Sequence, residues 1–301
     1  LLILLERSGK AVRSPSKSTL LAQAATSVGR GRGFGVHKAL DQVGAFAGPL
    51  LAALVISLAG VIWPAMAVLA VPGAAAMVLL AVLRSRVASP AAASPTQPVQ
   101  TVDSGRHGLR GWFADAVGAD LPGVFFGYAL AAGLTTAGLV TFGIIGYHLT
   151  VAGLVPVAVV PVVYAGAMAV EALAALGVGV VYDRRGPSVL YAVPVLVALV
   201  PPLALSGRVW VALLGVAVWG LAYGVQDSTV KALVAEVVEA PRRATAYGVF
   251  AGVQGAFAIV GGVGAGWLYE RSLTTLVTVV AVTQLAALVL LARTLPAVRQ
   301  R

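Results

Sequence analysis

The chain has 301 residues, 59% of them hydrophobic and 11% charged, with a mean hydropathy of +0.94. A soluble globular domain carries roughly 25% charged residues, so the soluble fold classes are excluded and the composition is that of an all-α, polytopic membrane protein. The net charge of +10 would point to nucleic acid in a soluble protein. Here the basic residues fall between apolar runs, where they act as topology signals, and no nucleic-acid partner is expected.

Cysteine is absent, which excludes disulfides, Cys-ligated metals, iron–sulfur clusters and thiol catalysis. The three histidines, His37, His107 and His148, are too scattered for a metal site. No cofactor is expected. The first residues already form a charged helix, so no signal peptide is recognisable.

A spanning helix needs about 20 mostly apolar residues. Nine stretches qualify: 1–25, 33–59, 61–83, 122–148, 153–182, 188–206, 208–237, 243–269 and 271–293. No alternating-polarity strands appear, which excludes a β-barrel. The first span carries Glu6, Arg7, Lys10, Arg13 and Lys17. At 100° per residue, Glu6, Lys10, Arg13 and Lys17 share one face. Each charge at the bilayer centre costs at least about 2.5–3.5 kcal/mol, so this face borders either a water-filled pathway or partner carboxylates. The plainer alternative is a helix lying outside the hydrocarbon.

The second span has His37, Lys38 and Asp41 near one end, at spacings that bring Asp41 to the basic pair and that suit a gate. The long connection 84–121 begins with a Pro/Ser/Ala-rich stretch expected to be disordered. It continues as Arg106–Asp120, with Trp112 and Phe113, expected as an interfacial helix. The fifth span holds Glu171 in an otherwise apolar run, with Tyr164 and Met168 on its face. A desolvated carboxylate of that kind suits proton coupling; a structural ion pair is the alternative. The seventh span holds Gln226, Asp227 and Lys231, the last two as i,i+4 neighbours.

Basic residues alternate between connections. Arg30, Arg32, Arg84, Arg86, Arg106, Arg110, Arg184, Arg185, Arg242, Arg243, Arg293, Arg299 and Arg301 fall on one face, and only Arg208 and Arg271 on the other. The positive-inside rule makes the first face, and the C-terminus, cytoplasmic. Residue 1 then starts outside, and further spans are expected upstream. The glycine pairs Gly44/Gly48, Gly248/Gly252 and Gly262/Gly266 are expected to let helix backbones approach closely. Pro49, Pro156, Pro161, Pro194, Pro201 and Pro202 bend helices or mark their ends. There is no P-loop and no nucleophile elbow, so the chain is not expected to be an enzyme.

Ser18-Thr19, Gly35-Val36 and Gly44-Ala-Phe-Ala47 echo Ser228-Thr229, Gly248-Val249 and Gly255-Ala-Phe-Ala258, as parallel transporter repeats do. Between the fifth and sixth spans lies Gly179-Val-Val-Tyr-Asp183-Arg184-Arg-Gly186. It resembles the G-x-x-x-D-R-x-G loop signature of the major facilitator superfamily, and Gly44-Ala-Phe-Ala-Gly48-Pro49 resembles that family's fifth-helix pattern.

The resemblance implies a two-bundle architecture with an incomplete N-terminal bundle. Residues 1–83 would match family helices 4–6, residues 84–121 the cytoplasmic central loop, and residues 122–301 the six-helix C-terminal bundle, helices 7–12. By the same resemblance the first span lines the cavity, Asp183 caps the start of the second span, and Arg184 pairs with a carboxylate such as Asp41.

The expected function is a secondary active transporter of the plasma (inner) membrane, a symporter or antiporter. It would move a small solute, to which an anionic group would suit the basic stripe, against a proton or other ion gradient. Arg7, Lys10, Arg13, Lys17 and Gln226 form the expected substrate pathway. Glu6, Glu171 and Asp227 are the coupling candidates. His37, Lys38, Asp41, Asp183, Arg184 and Lys231 make the inner gate. The alternative is a non-transporting or degenerate protein on the same scaffold, with a receptor or assembly role.

Overall fold

The computed structural model describes residues 17–61, 63–86 and 118–299. Glu6, Arg7, Lys10 and Arg13 lie outside the described residues, as does most of the 84–121 connection with its expected interfacial helix. Every regular element among the described residues is helical. In chain order they are α1 (17–24), α2 (Arg30–Ala59), α3 (Trp63–Arg86), α4 (Gly123–Gly138), α5 (Phe142–Val151), α6 (Val160–Arg185), α7 (Ala192–Ala204), α8 (Val209–Val237), α9 (Arg243–Arg271) and α10 (Leu273–Arg299).

Five helical stretches among the described residues are long and apolar enough to cross a bilayer: Gly123–Val151, Val160–Ala204, Val209–Val237, Ala240–Arg271 and Leu273–Pro296. The second runs 45 residues, too long for one crossing of a hydrocarbon core of about 30 Å. A 3-10 turn at Gly186–Tyr191 divides it, where Gly186 takes a positive φ of 69°. Such a backbone angle favours a residue without Cβ. Arg184 and Arg185 therefore belong to the last turn of α6 rather than to an open loop.

The outward surface is that of a membrane protein. Ile259, Val260 and Val263 on α9 are each 69% exposed, and Leu173 on α6 is 70% exposed. In water, contiguous apolar exposure of this kind would drive aggregation; in lipid it is the ordinary helix surface.

Contacts divide the described chain into two units. One takes 17–43 and 118–299, the other 44–61 and 63–86. The division falls inside α2 rather than in the central connection, so the first turns of α2 pack with the C-terminal helices. In the smaller unit the second part of α2 and all of α3 turn apolar side chains outward, Leu54, Leu58, Trp63, Val71 and Met77 among them.

In the larger unit α8 packs along α6 and α7, while α4 packs along α9 and α10. Small residues set the α6–α8 distance. A Cβ on Gly220 would lie 2.5 Å from the Ala167 carbonyl oxygen, and one on Gly224 would lie 2.5 Å from that of Glu171. Glycine at these two positions is what brings the polar stretch of α8 against α6. Tyrosine and tryptophan then anchor the packing, Tyr128 donating to the Val230 carbonyl at 2.8 Å and Trp219 to that of Val140 at 2.7 Å.

Among the described residues the expected glycine pairs meet no neighbouring backbone. Among the described residues nothing lies within 4 Å of a Cβ built on Gly44, Gly48, Gly248, Gly252 or Gly266, and only the Thr141 methyl, at 3.9 Å, faces Gly262. Close approach occurs instead at Gly31, Gly35, Gly179, Gly215, Gly220, Gly224 and Gly261. Motif spacing identifies a smooth helix face but not which face meets a neighbour.

Candidate functional site

The site is assembled where α2 begins. The segment Gly29-Arg-Gly-Arg-Gly-Phe-Gly35 places glycine at every second position. Gly31 and Gly35, one helical turn apart, lie against α6. A Cβ on Gly31 would sit 2.5 Å from the Gly179 oxygen, and one on Gly35 would collide with the Ala175 carbonyl. The N-cap position is Gly29, with φ of 99° and no side chain to satisfy the free amides of the first turn.

Asp183, from the end of α6, takes that role. Its Oδ1 accepts from the Gly31 amide at 2.8 Å and its Oδ2 from the Arg32 amide at 2.9 Å. The carboxylate sits at the positive end of the helix dipole, and the Arg32 guanidinium lies 3.8 Å away.

Two turns further along α2, Lys38 is held, half-buried, between two carboxylates. Its ammonium lies 2.8 Å from Glu171 Oε1 on α6 and 2.8 Å from Asp227 Oδ2 on α8. Asp227 Oδ1 also receives Lys231 at 3.1 Å. Gln42, one turn beyond Lys38, donates its amide to Glu171 Oε2 at 2.7 Å and lies 2.8 Å from the Met168 sulfur. Two ammonium groups thus balance two carboxylates, with a neutral amide completing the shell of Glu171. The side chain of Glu171 is 2% exposed and that of Asp227 31%.

Lys17, Ser18, Leu21, Phe34, His37, Lys38, Asp41, Asp227 and Lys231 line a crevice of about 40 Å³ beside this network, room for a few waters. Of the expected residues, this one place gathers Lys17, His37, Lys38, Asp41, Asp227 and Lys231, with Glu171 directly behind. The details differ from expectation. Lys38 engages Glu171 and Asp227 rather than Asp41, because the long side chain reaches across to the facing helices instead of along its own. Glu171 is a paired carboxylate, not a lone one. Arg184 is exposed and, among the described residues, makes no ion pair with Asp41; Arg32 is the cation beside Asp183. No group of three metal-ligating side chains occurs among the described residues.

Gln226 belongs to a separate, neutral cluster. Its amide donates to the Thr136 hydroxyl at 2.8 Å, Gln254 donates to the same oxygen at 3.2 Å, and that hydroxyl donates to the Ala132 carbonyl at 2.8 Å. A third cluster joins α5 to α9 and to the α7–α8 turn. His148 Nε2 lies 3.2 Å from the Ser206 carbonyl oxygen and Nδ1 2.9 Å from the Tyr269 hydroxyl. A carbonyl only accepts, so Nε2 carries a proton, and in the neutral ring Tyr269 donates to Nδ1.

Gln42, Gln254 and Thr136 escaped the reading of the sequence. The spacing Lys38–Gln42, i,i+4 on a face that must also carry Gly31 and Gly35, was the available signal for the first. Nothing local marked the other two.

No family model matches the chain. Proteins described as uncharacterized, from Mycobacterium tuberculosis strains H37Rv and CDC 1551 and from Mycobacterium bovis, are each 45% identical to it over 291 residues, covering 96% of this chain and 69% of each relative. At that identity and coverage, the chain belongs to the same family as these mycobacterial proteins.

Proposed function

We propose that the protein is a secondary active transporter of the major facilitator type, moving a small solute by alternating access and coupled to protons. In this reading it lies in the plasma membrane with the Arg30, Arg184, Arg243 end and the C-terminus in the cytoplasm, and the Lys38 network is an inner gate. The reading also makes the helices described here the later members of a two-bundle, twelve-helix plan.

One observation carries the reading: a charge-balanced, partly buried network, with Glu171 at its buried end, that ties the start of α2 to α6 and α8. Replacing a buried ion pair by apolar residues of similar volume is often neutral or stabilising, so stability alone gives no reason to keep Lys38, Glu171 and Asp227. A gate does. Lys38 can leave a carboxylate only when a proton or a solute takes its place, and that makes opening conditional on loading. Asp183 adds a second separable contact, since its bonds to α2 are all at the helix end.

The test is flux into proteoliposomes over a panel of small solutes, with and without a pH gradient. At least one solute is expected to move faster with the gradient, and Arg13→Ala and Lys38→Met are expected to abolish that movement while the protein still inserts. Solute flux in neither direction, with the network intact, would favour the non-transporting reading.

A further inference from the structure

The two carboxylates on Lys38 are not equivalent. Asp227 is held by two ammonium groups, Lys38 at 2.8 Å and Lys231 at 3.1 Å, and is partly open to the crevice. Among the described residues, Lys38 is the one cation on Glu171, at 2.8 Å. Its other oxygen meets the amide of Gln42, 2.7 Å away, and that amide also touches the Met168 sulfur. The groups that face Glu171 are Lys38, Asp41 and Gln42 from α2 and Tyr223 and Asp227 from α8. On its own helix Tyr164 and Met168 share its face.

Protonating Asp227 would take away the carboxylate that both Lys38 and Lys231 contact and leave Lys231 without its partner in the network, which is costly for a partly buried charge. Protonating Glu171 leaves Lys38 with Asp227 still in place. It also turns Glu171 from an acceptor into an O–H donor on one oxygen. The partner for that donor is at hand: a half-turn of the Gln42 amide exchanges its N–H for its carbonyl oxygen. No other side chain need move.

The charges are Lys17, Lys38 and Lys231 against Asp41, Asp227 and Glu171, which sum to zero with His37 neutral. One proton taken from water by a Glu171 oxygen makes the sum +1, with no other bond made or broken.

We infer that Glu171 is the proton-accepting group of the network, that Gln42 is the positioning residue that holds its protonated form, and that the single positive charge then left makes the crevice a site for a small monoanion. This deepens the transport reading and rests on it for its consequence, co-movement of a proton and an anion; the protonation itself stands on the geometry.

The experiment is an infrared titration of the full chain in lipid, following the carbonyl stretch of a protonated carboxyl, together with binding of chloride and formate monitored by tryptophan fluorescence across pH. The carbonyl band is expected to disappear in Glu171→Gln, to persist in Asp227→Asn, and to shift in frequency in Gln42→Leu. Anion affinity is expected to rise about tenfold as the band appears, the scale set by one unit charge a few ångströms away, and to lose its pH dependence in Glu171→Gln.

A band that survives Glu171→Gln and vanishes in Asp227→Asn overturns the assignment. An unshifted band in Gln42→Leu overturns the role of Gln42. Affinity that ignores the band overturns the anion site. If Glu171→Gln fails to insert, the Gln42→Leu shift and the Asp227→Asn titration still decide. A band and a pH-dependent anion affinity without any flux would sink the transport reading and leave this one standing.

Discussion

The Lys38 cluster and the His148 cluster both bury polar groups between helices of one unit, yet they hold them differently. At His148 every partner is neutral and the hydrogen-bond roles close on themselves, Tyr269 to Nδ1 and Nε2 to the Ser206 carbonyl. At Lys38 the ammonium is shared by two carboxylates from two helices, and one of those carboxylates has a second cation. A closed neutral set fixes one arrangement. A shared charge leaves a second arrangement within reach of a single proton.

The largest effect that separates the two clusters is loss of Lys38. Lys38→Met strands the buried Glu171, while Asp227 keeps Lys231, and is expected to cost about 3–5 kcal/mol, read as a drop in unfolding midpoint in micelles. The double variant Lys38→Met, Glu171→Gln removes the stranded charge, leaves the Lys231–Asp227 pair in place and is expected to recover most of that loss. A double variant as unstable as the single one would show that packing, not charge, holds the site.

The next effect tests whether the network depends on close backbones. Gly179→Ala puts a Cβ 2.5 Å from the Gly31 carbonyl oxygen and is expected to destabilise by about 1–3 kcal/mol, as overpacking does. It should also slow any flux that needs α2 to settle against α6. Asp183→Ala follows, at about 0.5–2 kcal/mol for a lost helix cap. Asp183→Asn should retain part of that, since the amide oxygen still accepts one bond but lacks the charge. At the other cluster Tyr269→Phe removes one neutral hydrogen bond and is expected to cost about 1 kcal/mol, with no change in the pH dependence of transport.

The same contrast explains what could be read from the sequence. Hydropathy located α8 well, 208–237 being expected and Val209–Val237 observed, but of the nine expected spans five helical stretches among the described residues are long and apolar enough to cross a bilayer, and 122–148 is broken between Gly138 and Phe142. Charge identified Glu171, Asp227 and Lys38 as special, because a buried ion needs a reason. Charge could not say that Lys38 answers both carboxylates, since that depends on how closely α6 meets α8, and the glycines responsible, Gly220 and Gly224, look like any others in a chain with 35. The loop signature placed Asp183 near the start of α2, but not Arg184, whose direction depends on the turn at Gly186. Of the neutral clusters only Gln226 was picked out, because Thr136, Gln254 and Tyr269 carry no cost that marks them as buried.

The smallest effect is the sharpest control on the glycine argument. Gly248 heads a G-x-x-x-G pattern on α9 that looks, in sequence, as good a packing motif as Gly31 and Gly35. Among the described residues nothing lies within 4 Å of a Cβ added there, whereas at Gly35 the Cβ would collide with the Ala175 carbonyl. Gly248→Ala is therefore expected to leave stability unchanged or raise it by no more than about 0.5–1 kcal/mol, the helix-propensity difference. Gly35→Ala, the same chemical change, is expected to destabilise. Both are read from the same unfolding curve, so the sign difference does not depend on the detergent. If both were neutral, the contact between α2 and α6 would not be the close one on which the Lys38 network depends.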